Sequence, residues 1–367
     1  MANLVGALAS VPNGLWEKII FAFNGAFKNY ALAIILLTIC IKIITLPIDF
    51  INRRSTQKMT DVQGKLQKQI ADIKKRYPDQ MVQNQKLSEL YKKEGFNPMG
   101  SCFNMILVLL VSWGVFFTLF SSLNNMAAFK IVSQYEDLRG AYIQEYVKEE
   151  RGINQEEFEA LELTEDEIGN YIITISTNGT EEEIATRTEV ANQSVIEKYK
   201  EVKESFLWIK NVWMADSPTQ RAIPDFGSYY KIAKLKLTPE EYEVQKVQYD
   251  TIMAKLEESQ GVNGYYLLAV LAAVSAFLYQ YLLMNNKKKK DERKRGSEQD
   301  SPAQSSGKAM MIILPVIMLV FTLSYNSVFA LYIITSQLFG MATAPLIKYL
   351  IKVTDKEKKN NYSVVKK

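Results

Sequence analysis

Residues 30–51, YALAIILLTICIKIITLPIDFI, constrain the rest of the chain more than any other stretch. A bilayer-crossing helix needs about 20 mostly apolar residues, and this run supplies them. Yet Lys42 stands near its middle. On a helix of about 3.6 residues per turn, Thr38, Lys42, Thr45 and Asp49 recur at spacings of four, three and four, so they share one narrow face. The other faces are mostly Ile, Leu and Ala. An isolated charge at mid-bilayer costs roughly 2.5–3.5 kcal/mol on insertion scales. The stripe is therefore expected to face a hydrated cavity between helices. Two drier readings stand beside it. Snorkelling to the headgroups would need the lysine stem to cover much of the roughly 16 Å that separates Lys42 from Arg53 along the axis. An ion pair with Asp49 would have to close about 10 Å along the same axis.

Composition narrows the chemistry. The 48% hydrophobic content would suit a soluble protein, but it is concentrated in a few runs. There is no histidine, which excludes histidine metal sites and histidine acid–base catalysis. Cys40 and Cys102 belong to no CxxC pattern and are expected to be small apolar packing residues. No GxxxxGK[ST] or GxGxxG string occurs, so nothing points to nucleotide hydrolysis. The chain is expected not to be an enzyme and to need no cofactor or metal.

The organisation follows from alternating apolar and charged stretches. Residues 1–29 read as an N-terminal interfacial segment, with Leu15, Ile19, Phe23 and Phe27 recurring every four residues. They lack the pattern of a removable signal peptide. Residues 30–51 form span one. Residues 52–97 are a helical hairpin with arms Ser55–Tyr77 and Gln80–Lys93, broken at Pro78-Asp79. This segment holds 11 Lys/Arg against 5 Asp/Glu, which by the positive-inside rule makes it cytoplasmic. Residues 98–122 form span two. Residues 123–263 are an acidic insertion, expected on the outer side. They contain a strand and turn at YIITIST with Asn178-Gly179, and a helix capped by Thr238, Pro239 and Glu241 and stopped by Gly261. The aromatics of SFLWIKNVWMADSP suit the membrane interface. Residues 264–284 form span three, 285–308 a basic loop, 309–325 span four, 327–351 span five and 352–367 a basic tail. Basic segments after spans one, three and five put the N-terminus outside and the C-terminus in the cytoplasm. Further polar positions fall on the later spans: Gln280 on the third, and Tyr332, Ser336, Gly340 and Thr343 on one face of the fifth, with Thr335 beside it. Helix packing is the commoner use of Ser and Thr in such helices.

Four motifs in this order resemble a known family. KIITLP in span one, KLQKQIADIKKRYPDQ with LYKKEGFNPMGSC, FLWIKNVWMADSP, and MMIILPVIMLVFTLSYNSVFALYIITSQLF are similar to the YidC-type membrane protein insertases, in the form found in Gram-positive bacteria. The resemblance covers roughly residues 15–122, 206–218 and 264–350. It implies an all-α integral membrane protein of the bacterial plasma membrane. Five transmembrane helices would enclose a hydrophilic groove open to the cytoplasm, with a cytoplasmic hairpin and an extracytoplasmic insertion containing some strand. It implies an insertase and chaperone that receives nascent membrane proteins and releases their apolar helices into lipid without nucleotide hydrolysis. Lys42 would attract the substrate's acidic or polar end. Thr38, Thr45, Gln280, Tyr332, Thr335 and Ser336 would keep the groove wet. The basic hairpin and tail would contact the nascent chain or the ribosome. Membrane lipids are further partners, specific DNA binding is not expected, and the part played by the Sec translocon is left open.

This chain departs from the family pattern in places. Lys42 stands where the family usually has arginine, and Asn104, Val108, Asn326, Val328 and Ile333 replace other characteristic residues. The insertion is longer than in typical Gram-positive relatives, and their lipoprotein-type leader is missing from the sequence. Two rival readings carry their own expectations. A secondary transporter using Lys42 and Asp49 as relay groups would show an internal repeat of spans, and none is found. A polytopic scaffold leaves the polar stripe unexplained.

Overall fold

Helix α2 (Tyr30–Arg76) starts with the apolar run and passes Pro47 into the basic segment without a break. The computed structural model describes residues 11–93, 98–161, 179–291 and 302–365. Around α2, the described residues form α1 (Leu15–Phe27), α3 (Gln80–Lys93), α4 (Pro98–Arg151), α5 (Gln155–Glu159) and α6 (Glu181–Val202). There follow α7 (Phe226–Ile232), α8 (Pro239–Gln260), α9 (Leu267–Asp291), α10 (Pro302–Ser324) and α11 (Ser327–Val365). Extended pairing among the described residues is limited to two isolated bridges, Phe206–Ile209 and Arg221–Val262. The strand expected at 171–177 lies outside the described residues.

Helix ends follow local chemistry. Tyr77 is the last residue to donate back into α2, and Asp79 then accepts from the Met81 N–H at 2.8 Å to open α3. Thr180 with Glu183 and Thr238 with Glu241 form reciprocal capping boxes on α6 and α8. Pro239 occupies the first turn of α8, and Gly261 ends it at φ 63°. Pro47 removes one backbone donor from α2, a loss that membrane helices tolerate where neighbouring groups re-satisfy the backbone.

Helix α4 is longer than the expected span. It continues from the apolar run to Arg151 because a second period takes over. Ala127, Ile131, Tyr135, Leu138, Tyr142 and Tyr146 recur at helical spacing and are all buried. No proline interrupts residues 99–217.

Among the described residues, three helical stretches are long and apolar enough to cross a membrane: Tyr30–Lys58, Ile106–Arg151 and Ser327–Asp355. Leu267–Leu283 and Met311–Ser324 are apolar but shorter. Large apolar side chains point out of these helices, among them Ile44, Leu110, Trp113, Val274 and Ile312. Patches of that kind suit lipid, not water. Cys40, expected to be a packing residue, is exposed on the same kind of surface.

The chain divides into two compact units, Met1–Leu37 with Phe120–Gln337, and Thr38–Leu119 with Leu338–Lys367. In the first, the core is aromatic. Tyr135, Tyr229 and Tyr249 gather with ring centroids 4.7–5.2 Å apart, and Phe226 lies 5.6 Å from Tyr249. The Tyr249 hydroxyl donates to Pro224 O at 2.6 Å. In the same unit α9 packs on α10. Ala269, Ala272, Ser275 and Ala276 are buried on α9, the small residues that permit close helix approach. The second unit holds the rest of α2, α3, the start of α4 and the end of α11. Arg54 on α2 meets Asp355 on α11 at 2.8 Å.

Candidate functional site

Because α2 is continuous, Thr38, Lys42, Thr45 and Asp49 do lie on one helix face. Thr38 is fully buried, Lys42 and Thr45 are half-buried, and Ile43 and Ile44 beside them are exposed. The Thr45 hydroxyl leans back onto Lys42 O at 3.4 Å. Among the described residues Lys42 and Asp49 form no ion pair. The dry pairing of these two groups on one helix therefore does not occur, as their axial separation of about 10 Å requires.

The other candidate residues sit in the first unit. Gln280 is half-buried on α9. Tyr332 is buried on α11, with Thr335 and Ser336 half-buried after it. Tyr332 stacks obliquely with Phe329, ring centroids 6.3 Å apart. Thr343, which the sequence placed on the same polar face, belongs to the second unit and bonds its own helix through Phe339 O at 2.9 Å. Its hydroxyl is thus satisfied locally. Lys42, Thr38 and Thr45 form one set and Gln280, Tyr332, Thr335 and Ser336 another, each described within its own unit.

Sequence reasoning missed a second charged centre. Lys130 on α4 pairs with Glu204 at 2.8 Å and sits 4.3 Å over the Tyr30 ring. Glu204 also accepts from the Trp213 indole N–H. Trp213 packs on Tyr30 at 5.2 Å and is buried, so it does not turn outward as an interfacial aromatic would. Asp216 is the second omission. Its carboxylate accepts from the Tyr265 N–H at 2.7 Å and from the Leu268 N–H, closing the start of α9. No local signal could have paired residues some fifty positions apart. The only sequence cue was a polar residue inside an apolar segment.

A family model described as "60Kd inner membrane protein" matches residues 22–356. The chain belongs to that family. Several relatives within reach of this 60Kd inner membrane protein family member carry the name membrane protein insertase YidC. One from Streptococcus agalactiae serotype V, named YidC 1, is 30% identical over 122 residues, 30% of this chain and 44% of the relative. One from Clostridium tetani is 36% identical over 108 residues, 29% of this chain and 44% of the relative. One from Neisseria gonorrhoeae is 39% identical over 95 residues, 26% of this chain and 17% of the relative. The chain thus matches less than half the length of these curated relatives. Family and apolar helices together identify a membrane-embedded bacterial protein.

Proposed function

We propose that this protein is a membrane protein insertase and chaperone of the YidC type. The observation that supports the reading most is the family match across residues 22–356, on a chain whose apolar helix α2 carries Lys42 without an ion-pair partner among the described residues. Five spans, counting the two shorter apolar helices, would enclose a groove open to the cytoplasm. A span shorter than the roughly 30 Å hydrocarbon layer is accommodated by local thinning. Thr38 and Thr45 are the polar positions proposed to hold water beside Lys42, and Gln280, Tyr332, Thr335 and Ser336 those proposed to do so on the later spans. Water keeps the Lys42 ammonium charged, and the ammonium attracts the acidic or polar end of a nascent membrane protein. The substrate's apolar helix then leaves the groove for lipid. Burial of that helix drives the step, helped by the membrane potential at about 2.3 kcal/mol per charge per 100 mV. No nucleotide is consumed.

The N-terminus lies outside and the C-terminus in the cytoplasm, which leaves the basic hairpin α3 with the end of α2 facing the ribosome, whose RNA attracts Lys and Arg. The secondary-transporter reading draws no support from the family or the relatives.

The test is insertion of a single-span substrate with a translocated acidic tail into vesicles. Lys42→Arg retains the rate. Lys42→Ala lowers it about fivefold to tenfold, an electrostatic contribution of about 1 kcal/mol. Lys42→Glu lowers it further. Full rates from both Ala and Glu variants would remove Lys42 from the mechanism.

A further inference from the structure

Within the first unit, the chain between α6 and α7 makes a tight two-residue turn. Phe206 and Ile209 exchange both backbone hydrogen bonds at 2.9 Å, with Leu207 and Trp208 at the tip. Leu207 sits there at φ 53°, in the left-handed region that a bulky residue rarely adopts. Asn or Gly would be the ordinary choice for such a position. Instead the turn presents a leucine, and 74% of its surface is exposed. The flanking apolar residues take the opposite course. Ile209 and Trp213 are buried, and Trp208 is half-buried with its indole N–H directed to Asp216 at 3.4 Å.

The same hydrogen bonds fix where this turn lies along the helices. Asp216 closes the start of α9 through Tyr265 and Leu268. Val212 O accepts from the Val328 N–H at 3.2 Å, and Met214 O accepts from the Ser327 N–H at 2.9 Å and its hydroxyl at 2.7 Å. The segment carrying the turn is therefore tied to the first residues of two apolar helices. Tyr265 and Leu267, at the start of α9, are exposed as well. Ends of membrane-crossing helices are where amphipathic rings such as that of Tyr265 meet the headgroup layer, and apolar side chains beside them reach the acyl chains.

We propose that the Phe206–Ile209 turn is a lipid anchor: it seats the Leu207 side chain in the leaflet at whose surface α9 and α11 begin, and so docks the insertion onto the bilayer. The proposal rests on α11 crossing the membrane and holds whichever side that leaflet faces. The anchor carries no cationic requirement, so zwitterionic and anionic lipid serve equally.

The experiment uses the full chain with Cys40→Ser and Cys102→Ser, reconstituted in phosphatidylcholine vesicles. Leu207→Cys carries an environment-sensitive nitrobenzoxadiazole label, and Glu201→Cys, at an exposed side chain of α6, carries the control label. The expected result is a blue-shifted emission at 207 relative to 201, quenched by nitroxides on the upper acyl chain. Equal water-like emission at both positions, or a label at 207 that lipid nitroxides leave unquenched, overturns the proposal, as does burial of 207 against another protein. A second variant, Leu207→Asn, tolerates the positive φ and keeps the turn. Its hydrogen exchange over 206–216 in vesicles is expected to be faster than wild type, and unchanged exchange overturns the proposal. Insertion activity is not part of either readout, so failure here and failure of the insertase reading are separate outcomes.

Discussion

Lys42 and Lys130 are both lysines on long helices with large apolar surfaces, and the protein treats them in opposite ways. Lys130 is neutralised in place: Glu204 lies 2.8 Å from its ammonium and the Tyr30 ring 4.3 Å beneath it. Lys42 has no ion-pair partner among the described residues, and its carboxylate neighbour Asp49 sits two turns along the same helix. A charge removed from water must be compensated by a partner or by retained water. The first solution builds a fixed joint. The second leaves the charge to water, the arrangement on which the proposed insertase role of Lys42 rests.

The comparison breaks most visibly at Lys130. Replacing it with Met strands Glu204, which is about five-sixths buried by its side chain. The expected loss is about 3–5 kcal/mol, read as a fall in the unfolding temperature of the purified protein in detergent. Adding Glu204→Leu should recover most of it, because a matched apolar pair is often neutral. Lys42→Ala, by contrast, should leave the unfolding free energy within about 0.5 kcal/mol of wild type and show its effect in insertion.

The buried phenols of the first unit give the next largest effect, and its sign is definite. Burial pushes the Tyr199 phenol up to about 12 and raises Tyr229 and Tyr249 as well. A group whose folded value lies above its unfolded value of about 10 supports the fold fully below pH 10. That support is lost as pH rises from about 10 towards the folded value, roughly 2–3 kcal/mol for a two-unit shift. Phenolate absorbance should therefore show a late stage, in which the buried tyrosines ionise only together with loss of helical circular dichroism. A single stage near 10 would place these rings in water.

Asp216→Ala removes the acceptor for two backbone donors at the start of α9. About 1–2 kcal/mol is expected, seen as faster hydrogen exchange in the first turn of α9 with the end of that helix unaffected. The smallest effect belongs to the second unit's Arg54–Asp355 pair. Arg54 Nε and Nη2 both reach the same carboxylate oxygen, at 3.2 and 2.8 Å, but Asp355 is 41% exposed. Arg54→Ala should cost at most about 1 kcal/mol, and less in high salt. A larger, salt-independent loss would mean that this pair is as fixed a joint as Lys130–Glu204.

Much of the architecture could be read from local pattern. Pro78-Asp79 marked the break between α2 and α3, and Thr238, Pro239, Glu241 and Gly261 marked both ends of α8. The extension of α4 to Arg151 was also written locally, in the buried series from Ala127 to Tyr146, but the polar residues between its members masked it. The aromatics of SFLWIKNVWMADSP misled in part. Composition marks Trp213 as amphipathic, whereas only packing against Tyr30 makes it a core residue.

By itself, then, the sequence determined the helices, their order and the single polar face on α2, because periodicity and capping act within a few residues of chain. It also determined the family, through motifs whose order is specific. Tertiary structure alone decided which charges are joined and which stay open: Lys130 with Glu204, Asp216 with the start of α9, Arg54 with Asp355. Those pairings link residues that are 74, 49 and 301 positions apart. No local rule reaches that far, since each depends on where whole helices come to rest.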